Sequence, residues 1–476
     1  MHLPHASLDI AYPNWRVKPA VVFAQDRVKL CSPAAAQTGV RVGMRRGGVN
    51  TLCPQAESFL YNPAAEQRAL DAVALALLQY TPELALADNN TFLLKVTASL
   101  ALFNGPRRLG QRIRATMHAQ SFGIHLSMAP TAKGAWLLAT ASRPQARRAL
   151  KQATLQRRLD TLPCSRLPEA QACLAWLDSI GCVTLGDLRK LPRSGLQRRT
   201  HQAMLPALDA AYGLAPETFK WIVPPPAFNH CIQLVERIEH ADAIQFVAHR
   251  LFEQLCGWLA AHQLAVTRLT LTLQHEHGRQ ARPPTPLPLT LGAPSWQIDH
   301  LLGLLKEHLH HHVLDAPVIA VALHTLETLP RAPASDQLFP QPGSLPVDHL
   351  RLLERLTARL GSDCILQPCP MADHRPEVAN RWAPLHQKLV PEACIHDANR
   401  PFWLLDTPIA LSVRQHRPFY GSPLRIIGGP ERIEDGWWDG LTIRDYFIAQ
   451  DQNGTRYWLY QERRRQDGWF LHGLFA

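Results

Sequence analysis

Residues 84–97, Leu-Ala-Leu-Ala-Asp-Asn-Asn-Thr-Phe-Leu-Leu-Lys-Val-Thr, constrain the fold more than any other stretch. Two apolar runs of strand length flank Asp88-Asn89-Asn90, and Asp and Asn favour chain reversal, so the segment predicts two short strands joined by a polar turn. Amphipathic helical patterns lie on either side, over residues 64–80 before Thr81-Pro82 and over residues 107–119 after Asn104-Gly105-Pro106. With the hairpin between them they make an α/β layer.

At 476 residues the chain is too long for one core and divides into three or four domains. No apolar run approaches the ~20 residues of a membrane span, and Met1-His2-Leu3-Pro4 is not the basic-then-apolar start of a signal peptide, which places the chain in the cytoplasm. The ten cysteines, scattered from Cys31 to Cys394 without a C-x-x-C pair, fit reduced and mostly buried thiols. A formal charge of +11 favours a polyanionic partner, nucleic acid ahead of membrane because no basic amphipathic anchor stands out.

Several blocks resemble the Y-family DNA polymerases. The hairpin is similar to that family's palm hairpin, S-x-D-E-x-[FY]-L-D-V-T, whose Asp-Glu pair helps hold two magnesium ions. Laying Leu93-Leu94-Lys95-Val96-Thr97 on its L-D-V-T end puts Asn90 and Thr91 at the Asp-Glu pair and Lys95 at the second Asp. Neither an amide nor a hydroxyl replaces an anionic magnesium ligand well. In the family an apolar first strand carries D-x-D, and Met1 leaves no room for it. Asp9 lies too far downstream and reads as a helix-start or surface residue.

Residues 19–54 resemble the family's fingers, through Pro19-Ala20-Val21-Val22-Phe23, Val28-Lys29-Leu30-Cys31-Ser32, Gly39-Val40-Arg41-Val42-Gly43-Met44 and Leu52-Cys53-Pro54. The family's middle block, S-Y-E-A-R-x-x-G-V-x-x-G-M, holds the nucleotide triphosphate with its Tyr and Arg. Those positions are Pro33 and Ala36 here, and a methyl cannot clamp phosphate as a guanidinium does. Gly39 and Gly43 read as backbone-geometry positions. Residues 126–133 resemble G-[IV]-[AS]-x-N-K, with Ala132 at the phosphate-contacting Lys; Lys133 is one residue off, a rotation of about 100° on a helix. The resemblance therefore implies no catalytic carboxylates, no nucleotide ligands and no cofactor.

A basic run (Arg143, Arg147, Arg148, Lys151, Arg157, Arg158) leads into residues 167–188, which resemble the family's thumb. There Gly181 and Gly186 would let backbone amides approach DNA phosphates, with Arg189, Lys190, Arg193, Arg198 and Arg199 adding charge. After the linker Pro224-Pro225-Pro226, strands at residues 232–236, 266–274 and 318–325 and helices at 243–262 and 296–310 resemble the little finger, whose β-α-β-β-α-β order implies a fourth strand between residues 274 and 296. His308, His310, His311 and His312 invite a metal reading, but adjacent helical positions diverge and no Cys or carboxylate set completes it, so an exposed helix end is preferred.

Residues 330–346 are rich in Pro and Ser and read as extended or disordered. Within them Ser335-Asp336-Gln337-Leu338-Phe339 resembles the clamp-binding type Q-x-x-L-F, with Leu338 and Phe339 kept and Ser335 at the Gln position. The alternative is a hydrophobic tether folding back on the protein. Cys364, Cys369, His374 and Cys394 are too unevenly spaced for a zinc set and read as scattered residues. Aromatic-rich segments follow: residues 400–405, 429–433, 436–439, 444–447 and 468–476. They suit paired strands whose tryptophans mostly fill a small core, with some exposed for a partner. Their order resembles the terminal domain of the ImuB-type mutagenesis accessory proteins, a catalytically inactive, Y-family polymerase-like group.

The resulting expectation is an α+β multidomain chain. It comprises a palm- and fingers-like region (1–150), a thumb-like helical region (151–225), a little-finger-like domain (226–330), a linker with a degenerate clamp-binding peptide (331–346) and a β-rich C-terminal partner-binding region (347–476). The resemblance implies a non-catalytic scaffold for translesion synthesis. Its implied partners are primer-template DNA without sequence preference, the sliding clamp, an error-prone replicative-type DNA polymerase and a RecA-like accessory protein. The rival is an active polymerase with displaced ligands, using Asp88 and an unrecognised carboxylate; a sequence-specific regulator lacks a recognition-helix motif.

Overall fold

The computed structural model describes every residue except 89, 142–147, 277–281, 311–312, 315, 332–345, 362, 386–399, 439, 464–467 and 476, and the side chains of 13, 14 and 346–348. The chain forms two compact units, Met1–Arg351 and Leu352–Ala476.

The first unit opens with α1 (Ala6–Ala11), followed by β1 (Ala20–Ala24), β2 (Arg27–Cys31), α2 (Pro33–Gln37), α3 (Arg46–Leu52) and β3 (Glu57–Leu60). These strands form a sheet in the order β2-β1-β3. Val21, Phe23, Val28, Ala35, Val40 and Val49 make its core, as the apolar runs of residues 19–54 require. The α/β layer follows, with α4 (Pro63–Leu77), β4 (Leu84–Ala87), β5 (Thr91–Leu94), α5 (Pro106–Ala119) and α6 (Ala132–Thr140). Asn62 caps α4 by accepting from the Ala65 amide, and Pro63 stands in the first turn, where its missing N–H costs nothing. Strands β4 and β5 pair antiparallel with Ala87 opposite Thr91, the hairpin that the Asp-Asn-Asn turn predicts.

One expectation needs correction here. The start of the chain does provide a strand-like segment: His2 bridges both Thr91 and His125 in antiparallel register. The amides of Phe92 and Leu3 donate to the carbonyls of Met1 and Asn90 at 2.7 and 3.1 Å, and His2 and His125 exchange two bonds of 2.8 Å. Three residues suffice because each of their edges is paired, a long-range arrangement that local periodicity does not report.

Helices α7 (Gln152–Asp160), α8 (Leu174–Ser179), α9 (Leu185–Lys190), α10 (Arg193–Arg199) and α11 (Met204–Tyr212) pack with α6 around Trp136, Leu155, Leu159, Leu177 and Leu188. Then come β6 (Asn229–Ile238), α12 (Ala241–His262), β7 (Leu264–His275), β8 (Thr285–Ser295), α13 (Ile298–His310) and β9 (Val318–Pro330) in a sheet ordered β6-β9-β7-β8. The β-α-β-β-α-β order is the one expected. Strand β8 is hard to read locally because Pro286 and Pro288 interrupt its pattern; it sits at the sheet edge, where proline is tolerated. Helix α12 packs on α4 so closely that a Cβ at Gly257 would overlap the Leu75 carbonyl.

Helix α14 (Pro346–Leu360) spans the division between the units. In the second unit β10 (Leu366–Pro370) and β11 (Asn380–Pro384) form a hairpin. Strands β12 (Trp403–Arg414), β13 (Arg417–Tyr420), β14 (Ser422–Pro423), β15 (Arg425–Asp435), β16 (Thr442–Gln450), β17 (Arg456–Glu462) and β18 (Trp469–Leu474) form a seven-stranded sheet ordered β14-β13-β12-β18-β17-β16-β15. Trp458 is buried in an aromatic cluster, its ring centroid 4.0 Å from that of Tyr446, whereas Trp403, Trp437 and Trp438 are exposed. The α+β class with a β-rich C-terminal part is therefore observed. Among the described residues no helix is long and apolar enough to cross a membrane, and no group of three His, Cys, Asp or Glu side chains could hold a metal. His311, His312 and Cys394 lie outside the described residues.

Candidate functional site

The hairpin turn places Asp88 and Asn90 at its tip, Asn90 in the left-handed region (φ +52°) that Asn tolerates. Asn90, Thr91 and Lys95, which the sequence comparison sets against carboxylates, are each engaged by a neighbouring side chain. The Asn90 amide donates to Glu66 Oε1 at 2.5 Å. Thr91 is fully buried, with its Oγ1 3.0 Å from His2 Nδ1. Lys95 Nζ donates to Glu83 at 2.7 Å in a half-exposed pair. Asp88 is exposed, and its backbone carbonyl accepts from the Trp136 indole at 3.4 Å.

Glu66 on α4 is the residue that sequence reasoning missed, since a lone Glu in a helical pattern carries no signal. Its carboxylate accepts from Ser7 Oγ at 3.2 Å and Lys29 Nζ at 3.3 Å as well as from Asn90. The Lys29 ammonium lies 3.0 Å from the Tyr61 ring centroid. Burial works to raise the Glu66 pKa, but hydrogen bonds from Asn90 and Tyr61 and the charge of Lys29 outweigh it and hold the carboxyl below its usual value. It is thus an anion already neutralised by an ammonium. Metal-assisted phosphoryl transfer needs carboxylates converging on two ions about 4 Å apart, and this cluster offers one, engaged on both oxygens.

Asp9 is the second correction. It does stand in the first turn of α1, but its side chain is buried rather than at the surface. It accepts from Trp15 Nε1 at 2.9 Å, from the Gly123 amide at 3.1 Å and from Arg16 at 3.4 Å. Burial raises its pKa against these contacts. It fastens the first helix to the layer.

Pro33 and Ala36 lie exposed on α2, which Ser32 caps, and neither side chain offers a donor. At Ala132 the first turn of α6 already holds an anion: the amides of Ala132 and Lys133 donate to Glu217 at 2.8 and 2.7 Å. Lys133 Nζ turns to Glu169 at 2.7 Å, over the Trp136 ring. Glu217 lies in a strap that sequence reading also missed; it runs along β4, with the Ile222 amide donating to the Leu84 carbonyl at 2.7 Å. Phe219 and Trp221 of this strap, with Phe92, Val96 and Met128, border a cavity of about 290 Å³. The alternation Glu217-Thr218-Phe219-Lys220-Trp221 before three prolines is the signal available for it.

The residues expected to meet DNA are distributed unevenly. Gly181 is exposed in an open turn at φ +71°. Gly186 is buried, and a Cβ there would come within 2.9 Å of Asp160, so its small size serves the packing of α9 on α7, contrary to a phosphate-facing role. Arg193 is paired with Asp209 through both guanidinium nitrogens (2.9 and 2.5 Å), and Lys190 and Arg189 lie 3.8 Å from Asp187 and Asp160. Arg198 and Arg199 project from the last turn of α10 into solvent. The exposed pairs of Arg189 and Lys190 are weak enough for a phosphate to displace. Ser335, Gln337, Leu338 and Phe339 lie outside the described residues.

Residues 6–140 match the sequence model of the impB/mucB/samB family. The chain is 25% identical over 472 residues to Protein ImuB of Caulobacter vibrioides strain NA1000 / CB15N, covering 92% of this chain and 100% of that protein, and equally similar to the same protein of strain ATCC 19089 / CIP 103742 / CB 15. Among solved structures, the insertion ternary complex of Dbh DNA polymerase matches with 16% identity and a TM-score of 0.38, over 66% of this chain and 93% of that one. A DinB family error-prone DNA polymerase from Sulfolobus solfataricus matches with 17% identity and a TM-score of 0.38, over 67% and 94%. The resemblance to ImuB-type proteins runs nearly end to end.

Proposed function

We propose, from this ImuB-type resemblance, that the chain is a non-catalytic, Y-family polymerase-like scaffold that binds DNA and recruits the sliding clamp and an error-prone polymerase for translesion synthesis and damage-induced mutagenesis. The observation that carries the reading is the hairpin tip. Thr91 is buried against His2, and the nearby carboxylate of Glu66 is engaged by Lys29, Ser7 and Asn90. Loss of the triphosphate ligands at Pro33, Ala36 and Ala132 supports it independently.

On this reading DNA is held through its phosphates by Arg189, Lys190, Arg193, Arg198 and Arg199 with the Gly181 turn, so binding is strongly salt-dependent and nearly blind to sequence. Ser335, Gln337, Leu338 and Phe339 form the clamp peptide, and residues 347–476 engage the error-prone replicative-type polymerase and a RecA-like accessory protein. Several modest attachments on one DNA-bound chain raise local concentration without a strong single contact. Deleting the segment after Val347 tests the division of labour. Polymerase capture is expected to disappear while primer-template affinity stays; loss of both, or of neither, would reject it.

A further inference from the structure

The basic run before the thumb-like helices and the helix α5 carry charge that the scaffold reading does not use. Arg107 and Arg114 of α5 and Arg148 line one cavity of about 220 Å³ together with Gln111 and Ser127. All three arginines are exposed, and among the described residues no carboxylate forms an ion pair with any of them. Arg114 Nη1 is steadied by the Gly110 carbonyl at 3.3 Å, which leaves its other donors for a ligand.

The sequence of α5, Pro-Arg-Arg-Leu-Gly-Gln-Arg-Ile-Arg-Ala-Thr-Met-His-Ala, has no acidic residue, and Arg107 and Arg108 stand in its first turn. Cations there oppose the helix dipole, so local stability does not account for them. Natural chains break such rules chiefly at functional sites. The cavity is smaller than the roughly 300 Å³ at which pockets for drug-sized ligands begin, which suits a compact anionic group.

We propose that Arg107, Arg114 and Arg148 form a binding site for a terminal phosphate, either a diphosphate group or the phosphomonoester at the end of a nucleic-acid strand. Guanidinium forks match phosphate oxygens bidentately. Three of them suit a monoester, with its charge of about −1.5 to −2 at neutral pH, better than a chain-internal diester bearing a single charge. The site is separate from the thumb-like arginines, so it can fail while phosphate-backbone binding by the scaffold stands.

The test uses the full chain and inorganic pyrophosphate at constant ionic strength, with R114Q and R148Q as variants and circular dichroism to verify folding. Saturable binding weakened at least tenfold in each variant is expected. Equal affinity in wild type and both variants, or no saturation, would overturn the site. A second arm compares a 5′-phosphorylated with a 5′-hydroxyl oligonucleotide of one sequence. An Arg114-dependent gain for the phosphorylated strand assigns the phosphate to a strand end; its absence beside Arg114-dependent pyrophosphate binding assigns it to a free diphosphate.

Discussion

Restoring a carboxylate at the hairpin is the most informative perturbation, because the structure says what it would meet. Thr91 is 0% exposed and its hydroxyl is 3.0 Å from His2 Nδ1. In Thr91→Glu the larger side chain overpacks the site by about 1–3 kcal/mol. Removing its charge from water costs several kcal/mol more. A charge-assisted bond from the His2 imidazole returns about 1.5–3 kcal/mol. The net loss is about 3–5 kcal/mol, read as a lower urea midpoint for unfolding of the first unit in the full chain. Burial raises a carboxyl pKa in the folded state, so the folded protein binds more protons and the loss grows with pH; it should be larger at pH 8 than at pH 5. A Thr91→Glu variant as stable as wild type at pH 8 would refute the closed packing of this position.

Wild-type stability should fall from pH 6 to pH 4 more steeply than that of Glu66→Gln. The Glu66 pKa is depressed on folding, so its contribution is present above the unfolded carboxylate value and is lost as pH falls through the folded one; parallel profiles would contradict the Lys29–Glu66–Asn90 cluster. Gly257→Val should lower the urea midpoint by at least the about 1–3 kcal/mol typical of overpacking, because its Cβ would overlap the Leu75 carbonyl. An unchanged midpoint would mean that α12 does not rest on α4. Replacing Leu338 and Phe339 with Ala should abolish retention on immobilised sliding clamp and leave primer-template affinity intact; full retention would place the contact elsewhere.

What was legible in the sequence was what local chemistry decides. The Asp-Asn-Asn turn between apolar runs announced β4 and β5, and unbroken periodicity announced α12, α13, β7 and β9. The edge position of β8 hid it, since Pro286 and Pro288 are tolerated there for a reason only the sheet reveals. The strand-like role of Met1–Leu3 depends on partners about ninety and more than a hundred residues away, His2 lying between Thr91 and His125. The candidate site divides in the same manner. That Asn90, Thr91 and Lys95 carry no carboxylate was visible as residue types, whereas Glu66, Asp9 and Glu217 acquire their roles from partners that tertiary packing brings to them. Gly186 shows the converse: a glycine in a turn motif suggested phosphate approach, and the helix behind it accounts for its size.

The most direct measurement is primer extension by the purified full chain on a primer-template, with magnesium and then manganese, beside an Asp88→Ala control. The account predicts no extension with either metal, together with salt-sensitive binding to the same DNA. Extension that disappears in the Asp88→Ala control would contradict it and make the exposed hairpin tip a metal site.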